Sequence, residues 1–160
     1  MTRRTTIELF KEEMKFSAGH FTIFSATSRE HLHGHNFVVG LVVDAAVTDE
    51  GMAFDYGILK QKLRELCRSL NEVFLLPARS PHLEIVEHDD RVSLTFDGAS
   101  WSLLKRDVKI LPLCNITLEG LSQYLLDQLL PEIASTHDVS RIVVKVYSGP
   151  GQSASAEWHR

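Results

Sequence analysis

The sequence predicts an α+β domain, an antiparallel sheet with two helices packed on one face. Three observations carry that expectation. Strand and helix signals run in the order β-β-α, short strands, α-β. Two segments carry leucines at helical spacing. The long strand candidate has apolar residues on both faces, Val38 and Val42 opposite Val39 and Leu41, so its second face also needs a cover.

The elements follow in order. Residues 5–10 and 12–21 are apolar-alternating runs on either side of Lys11-Glu12-Glu13, and Phe16, Ala18 and His20 share one face of the second run. Residues 22–32 have turn chemistry and read as a loop. Residues 33–48 form a long strand with His33, His35, Phe37, Val39, Leu41 and Val43 on one face, closed by a turn at 48–51.

Asp55 is placed to cap a helix whose stripe is Leu59, Leu63, Leu66, Cys67 and Leu70. Segments 82–87, 91–96 and 100–104 read as short strands joined by Asp89-Asp90 and Asp97-Gly98 turns. A second helix starts near Thr117, with Leu118, Leu121, Leu125 and Leu129 on one stripe, and Pro131 should break or kink it. The last strand is read as 142–147, ended by Gly149-Pro150-Gly151.

Composition narrows the class of function. The chain has 160 residues, 44% hydrophobic and 24% charged, which suits one soluble domain spanning 1–160. A formal net charge of -4, with no basic tract, argues against nucleic acid or an anionic membrane as partner. No stretch is apolar enough to span a bilayer, and no signal-peptide core follows Met1. Two cysteines, Cys67 and Cys114, make no disulfide framework, so a cytoplasmic location and core packing of both thiols are expected.

The chemistry concentrates in His33-Gly34-His35. Side chains two apart on a strand point the same way, so these imidazoles converge, and Gly34 leaves the backbone between them uncrowded. If the strand bearing His20 pairs with theirs, three neutral nitrogens meet with no fourth protein ligand. That set describes a zinc site with a position open to water or substrate. His82, His88, His137 and His159 lie in polar loops or at the terminus and read as solvated; His31 could point either way.

Several strings resemble one family. Phe16-Ser17-Ala18-Gly19-His20-Phe21, Glu30-His31-Leu32-His33-Gly34-His35-Asn36-Phe37, Gly51–Lys60, Asn115-Ile116-Thr117-Leu118-Glu119-Gly120-Leu121, and the closing Val144-x-Val146 with Ala156-Glu157-Trp158 are similar to 6-pyruvoyl-tetrahydropterin synthase and its bacterial relative 6-carboxytetrahydropterin synthase. The resemblance covers most of the chain except 77–112, which reads as an enlarged hairpin.

The resemblance implies a tunnelling fold, a four-stranded antiparallel sheet with two helices, assembled as a homo-oligomeric ring, trimer or hexamer. It implies Zn2+ held by His20, His33 and His35, and a small-molecule pterin whose side-chain hydroxyls lie over the metal. The implied activity is that of a zinc-dependent carbon–oxygen or carbon–carbon lyase in pterin or deazapurine biosynthesis, acting on a dihydroneopterin-like substrate. The alternative is a metal- and pterin-binding homologue without the ancestral synthase activity.

Three positions depart from the family pattern. Arg29 stands where the family has its cysteine, four residues before the first His of His-Gly-His. Leu70-Asn71-Glu72 stands where it has Leu-Asp-His. Ser148 stands near its pterin-anchoring glutamate. Glu30 and Glu72 are therefore the candidate catalytic acid/base groups. Glu119 and Thr117 are the candidate substrate contacts; Glu157, otherwise a solvated tail residue, is another possible anchor. Arg29 reads as an exposed loop arginine, with recognition of a substrate phosphate or carboxylate as the alternative.

Overall fold

A computed structural model describes residues 3–133 and 138–160. The strands are β1 (Arg4–Leu9), β2 (Lys15–His20), β3 (His33–Ala46), β4 (Val73–Pro77), β5 (Glu84–Glu87), β6 (Arg91–Phe96), β7 (Ala99–Leu104), β8 (Val108–Leu111), β9 (Val139–Gly149) and β10 (Gln152–His159). Helix α1 spans Gly57–Leu70 and α2 spans Leu118–Ile133.

Seven strands form the main sheet in the order β10-β9-β3-β2-β4-β8, with β1 also on β3. Strand β1 pairs with residues 41–46 of β3 and β2 with residues 33–38, while β9 pairs with residues 38–45. Val38 faces Lys15 on one side and Tyr147 on the other, so β1 and β2 occupy one edge of β3 end to end. The antiparallel part is thus four rows wide, as the family resemblance implies. Two parallel pairings, β2 with β4 and β4 with β8, widen it. A separate three-stranded antiparallel sheet, β5-β6-β7, occupies the segment read as an enlarged hairpin. Its β6–β7 turn is Asp97-Gly98 with φ of 47° and 75°, the positive-φ pair a two-residue hairpin turn demands.

One face of the main sheet buries Phe16, Ala18, Phe37, Val39, Leu41, Val43, Val144 and Val146 beneath both helices. The helix faces follow the spacing: α1 buries Leu59, Leu63, Leu66, Cys67 and Leu70, and α2 buries Leu121, Leu125 and Leu129 together with Leu126 and Ile133, while Leu118, the first of the expected stripe, is only half-buried. A second core lies under the 21–30 loop, where Phe21, Ile23, Leu76, Leu83, Val92, Leu94 and Phe96 meet. The three-stranded sheet therefore has a packing role that sequence patterning left unassigned.

Five expectations change. Asp55 lies one residue outside the assigned cap, Tyr56, yet its Oδ1 accepts the Gly57 N–H at 2.8 Å and so still satisfies an orphan donor. Pro131 does not end α2, which continues to Ile133; this close to the end, the missing N–H removes a single bond. The last strand begins at Val139, and the glycine turn leads into β10, so the tail is an edge strand. Cys67 is buried, whereas Cys114 is exposed and packs in no core. Arg29 is half-buried against three aromatic rings rather than solvated. His137 lies outside the described residues. No helix among the described residues is long and apolar enough to cross a membrane.

Candidate metal centre and active site

The β2–β3 register builds the centre. His20 pairs directly with His33, Gly19 with Gly34 and Ala18 with His35. His33 and His35 share a face of β3 because they are two apart, and His20 is brought beside them by cross-strand pairing. A Cβ at Gly34 would come within 2.9 Å of the Ala18 carbonyl oxygen, so glycine is what lets the two strands close at this point.

The ring nitrogens of the three histidines offer one ligand atom each, all within 4.8 Å of one another. His20 Nδ1 meets the Ile116 carbonyl oxygen at 2.9 Å and His33 Nδ1 meets that of His31 at 2.7 Å. A carbonyl can only accept, so each Nδ1 carries the proton and each Nε2 presents a lone pair. His20 Nε2 is buried without a hydrogen-bond partner, and His33 Nε2 lies 3.1 Å from His35 Nε2. The His20 and His33 lone pairs converge beside the His35 ring nitrogen, an arrangement that suits a divalent cation. Burial, more than the nearby His33 and His35 rings, shifts the His20 imidazole below its ordinary range, which favours the neutral form that a metal ligand needs.

Glu30 enters the same site. Its Oε2 lies 3.8 Å from His33 Nε2 and accepts the Thr22 N–H at 2.8 Å, while its own N–H donates to the Thr22 carbonyl at 2.9 Å. Burial pushes its carboxyl up, but hydrogen bonding from Thr22, helped by the electrostatics of the adjacent His33 and His20 rings, outweighs it, and the net shift is downward.

A pocket of about 380 Å³ opens over the triad. It is lined by Glu30, Thr22, Phe37, Thr117, Leu118, Glu119, Ser148 and Gln152–Ala154 as well as the histidines. Thr117 precedes α2, and its hydroxyl oxygen accepts the Gly120 N–H at 3.1 Å as an N-cap. The cap fixes the first turn and with it the exposed Glu119.

Other candidates lie elsewhere. Glu72 lines an adjoining groove with Ser17, Gly19, His35, Asn36 and Phe74, so His35 borders both that groove and the pocket over the triad. It has a φ of 57°, unusual for a residue with a Cβ, and its N–H donates to the Ser17 carbonyl at 2.7 Å. Glu157 is on β10 against Arg141, in a third groove with Glu8 and Lys145. His31 is exposed and contributes its carbonyl, not its ring. Sequence reasoning missed Thr22, whose part is played by its backbone and leaves no side-chain signature.

The profile of the 6-pyruvoyl tetrahydropterin synthase family matches residues 9–158, nearly the whole chain. The chain belongs to the 6-pyruvoyl tetrahydropterin synthase family. Among solved structures, 6-pyruvoyl tetrahydropterin synthase of Plasmodium vivax is 31% identical with a TM-score of 0.92, covering 99% of each chain. The Plasmodium falciparum enzyme of the same name is 29% identical with a TM-score of 0.91, covering 98% of this chain and 99% of that one. Two further Plasmodium vivax structures are variants in which a glutamate, described as a catalytic residue, is replaced by alanine or by cysteine. A Methanocaldococcus jannaschii protein, provisionally described as a 6-carboxy-5,6,7,8-tetrahydropterin synthase, is 24% identical over 144 residues, 88% of each chain. The family's fold accounts for the four antiparallel rows and two helices seen here.

Proposed function

We propose that this chain is a zinc-dependent lyase acting on the side chain of a dihydroneopterin-like substrate. The observation that carries the reading is a carboxylate, Glu30, fixed 3.8 Å from His33 Nε2 at the edge of a three-histidine centre that opens on a pocket. Zinc held by His20, His33 and His35 would supply Lewis-acid polarisation of substrate hydroxyls. Glu30 takes a proton from the substrate side chain, the work a cysteine does in the family pattern; a glutamate described as catalytic in the Plasmodium vivax relative supports the exchange. The Thr22 N–H holds Oε2, the oxygen 3.8 Å from His33 Nε2, and a carboxylate oxygen keeps a second lone pair with which to take that proton.

Glu119 is the carboxylate assigned to the pterin's guanidine-like edge, since it lines the pocket together with Ser148, the residue near the position of the family's anchor. Thr117 keeps its hydroxyl proton to donate while its oxygen caps α2. Glu72 lines the adjoining groove, which shares His35 with the pocket, and is given no step in this scheme. A ring of identical chains would cover the sheet face on which Phe10, 64% exposed, stacks edge-on to Tyr147.

The test is incubation of zinc-loaded protein with dihydroneopterin and with its triphosphate, products being resolved by chromatography. Side-chain loss from either substrate is expected. Binding of both without turnover would instead identify a pterin-binding homologue that has lost the reaction.

A further inference from the structure

The added three-stranded sheet and the catalytic loop meet at one side chain. The Arg29 guanidinium carbon lies 4.9 Å from the Trp101 ring centroid, 5.1 Å from Phe21 and 5.6 Å from Phe96. Phe21 follows the ligand His20; Phe96 ends β6 and Trp101 lies on β7. A guanidinium within about 6 Å of an aromatic face is held electrostatically, and three faces leave it little freedom. Its Nη1 donates to the Glu30 carbonyl oxygen at 2.7 Å. Arg29 makes no salt bridge among the described residues.

We propose that Arg29 is a positioning residue for Glu30, and that β5–β7 serve as the clamp that fixes Arg29. The proposal rests on the reading of Glu30 as the proton-transfer group. Glu30 sits in a loop between strands, where backbone is ordinarily mobile, yet a catalytic carboxylate must be held to within about 0.5 Å. The loop solves this from both limbs. Asn115 brackets Ile23, accepting its N–H at 3.0 Å and donating to its carbonyl at 2.7 Å. Ile23 bridges to Arg29, and Arg29 ties the Glu30 carbonyl to the aromatic box. The limb at Ile23 is thus anchored to the segment before α2, and the limb at Glu30 to the added sheet.

The consequence is a line of fixed contacts from Trp101 and Phe96 through Arg29 to Glu30. At the position where the family pattern has a cysteine, this chain keeps no nucleophile; the residue there orients the neighbouring carboxylate. Segment 77–112 acquires a functional role without touching the substrate pocket, none of whose lining residues it supplies.

The test uses the zinc-loaded full chain with Arg29→Met, Trp101→Leu, Glu30→Gln and the Arg29→Met/Glu30→Gln double variant. Amide hydrogen exchange at Thr22 and Glu30 reports the loop without reference to activity. Exchange there should quicken by roughly tenfold or more in Arg29→Met and in Trp101→Leu, with Val39 and Val144 amides and the zinc content unchanged. Unaltered exchange at Thr22 and Glu30 would overturn the proposal even if no pterin is turned over. Where turnover is measurable, Arg29→Met should lower kcat by roughly tenfold with KM nearly constant, and should add nothing in the Glu30→Gln background. A raised KM with kcat intact would make Arg29 an anion-binding group for the substrate, and equal losses in both backgrounds would sever it from Glu30; either result refutes the positioning role. If Arg29→Met does not fold, Trp101→Leu carries the same readouts with Arg29 in place.

Discussion

The Thr22 N–H donates to Glu30 Oε2 over 2.8 Å, and the Glu30 N–H returns a bond to the Thr22 carbonyl over 2.9 Å. This reciprocal pair fixes the side chain through the backbone of a residue eight positions earlier. Glu30→Gln keeps the shape and an acceptor for Thr22 but removes the base. Loss of a positioned general base typically costs about 10²–10⁴ in rate. The expected outcome is a kcat reduced within that range, with zinc content and melting temperature held; full activity in the variant would exclude Glu30 as the proton-transfer group.

Zinc binding should stabilise the folded chain by mass action, since the three nitrogens converge only when β2 and β3 are paired. Adding zinc to chelator-treated protein should raise the melting temperature of the parent and leave His33→Ala unmoved. Metal analysis should find about one zinc per parent chain and less in the variant.

Gly34→Ala should be costly for its size. The added Cβ meets a backbone oxygen, Ala18 O at 2.9 Å, which can retreat only if the strands separate. Overpacking of this kind typically costs about 1–3 kcal/mol. Urea denaturation should show a loss in that range, and zinc affinity should fall with it because His20 and His33 flank the strained pair.

Acid sensitivity should report the Thr6–Asp44 pair. Thr6 and Asp44 face each other across β1 and β3, and the Thr6 hydroxyl donates to Asp44 at 2.6 Å. That bond, with help from Arg141, holds the Asp44 carboxyl below its ordinary value. A carboxyl lowered on folding stabilises the fold above its unfolded pKa of about 3.9 and loses that contribution as pH falls through the folded value. Thr6→Val should therefore be less stable than the parent at pH 7, and the gap should narrow towards pH 3. A gap independent of pH in urea titrations would contradict the pairing.

The two thiols should differ in reactivity. Burial pushes the Cys67 thiol up to about 12, so almost no thiolate forms at pH 8, whereas Cys114 is exposed. Alkylation of native protein should modify Cys114 alone, and Cys67 should react only after unfolding.

What local spacing could state, it stated well. A helix buries every third or fourth residue, so Leu59, Leu63, Leu66, Cys67 and Leu70 declare their face by position alone. A strand alternates, so His33 and His35 are bound to share a side. Once β2 was expected beside β3, His20 followed. Strands β4 and β8 escaped because Val73–Pro77 and Val108–Leu111 are short strands in parallel pairing, whose apolar runs lack alternation. Strand β10 escaped because its first half, Gln152–Ser155, is polar and small.

The amino-acid sequence by itself determined the histidine triplet, the helix faces and the family, because each is written in short-range pattern. Only the tertiary structure decided which carboxylate stands at the histidines and what holds it there. Glu30 lies 3.8 Å from His33 Nε2, whereas Glu72 lines the adjoining groove that His35 also borders, and Arg29 acquired its role from Phe96 and Trp101, some seventy positions away. Periodicity records how a residue faces its own element. Which distant elements then close around a loop is set by packing of the whole chain, and a local pattern carries no trace of it.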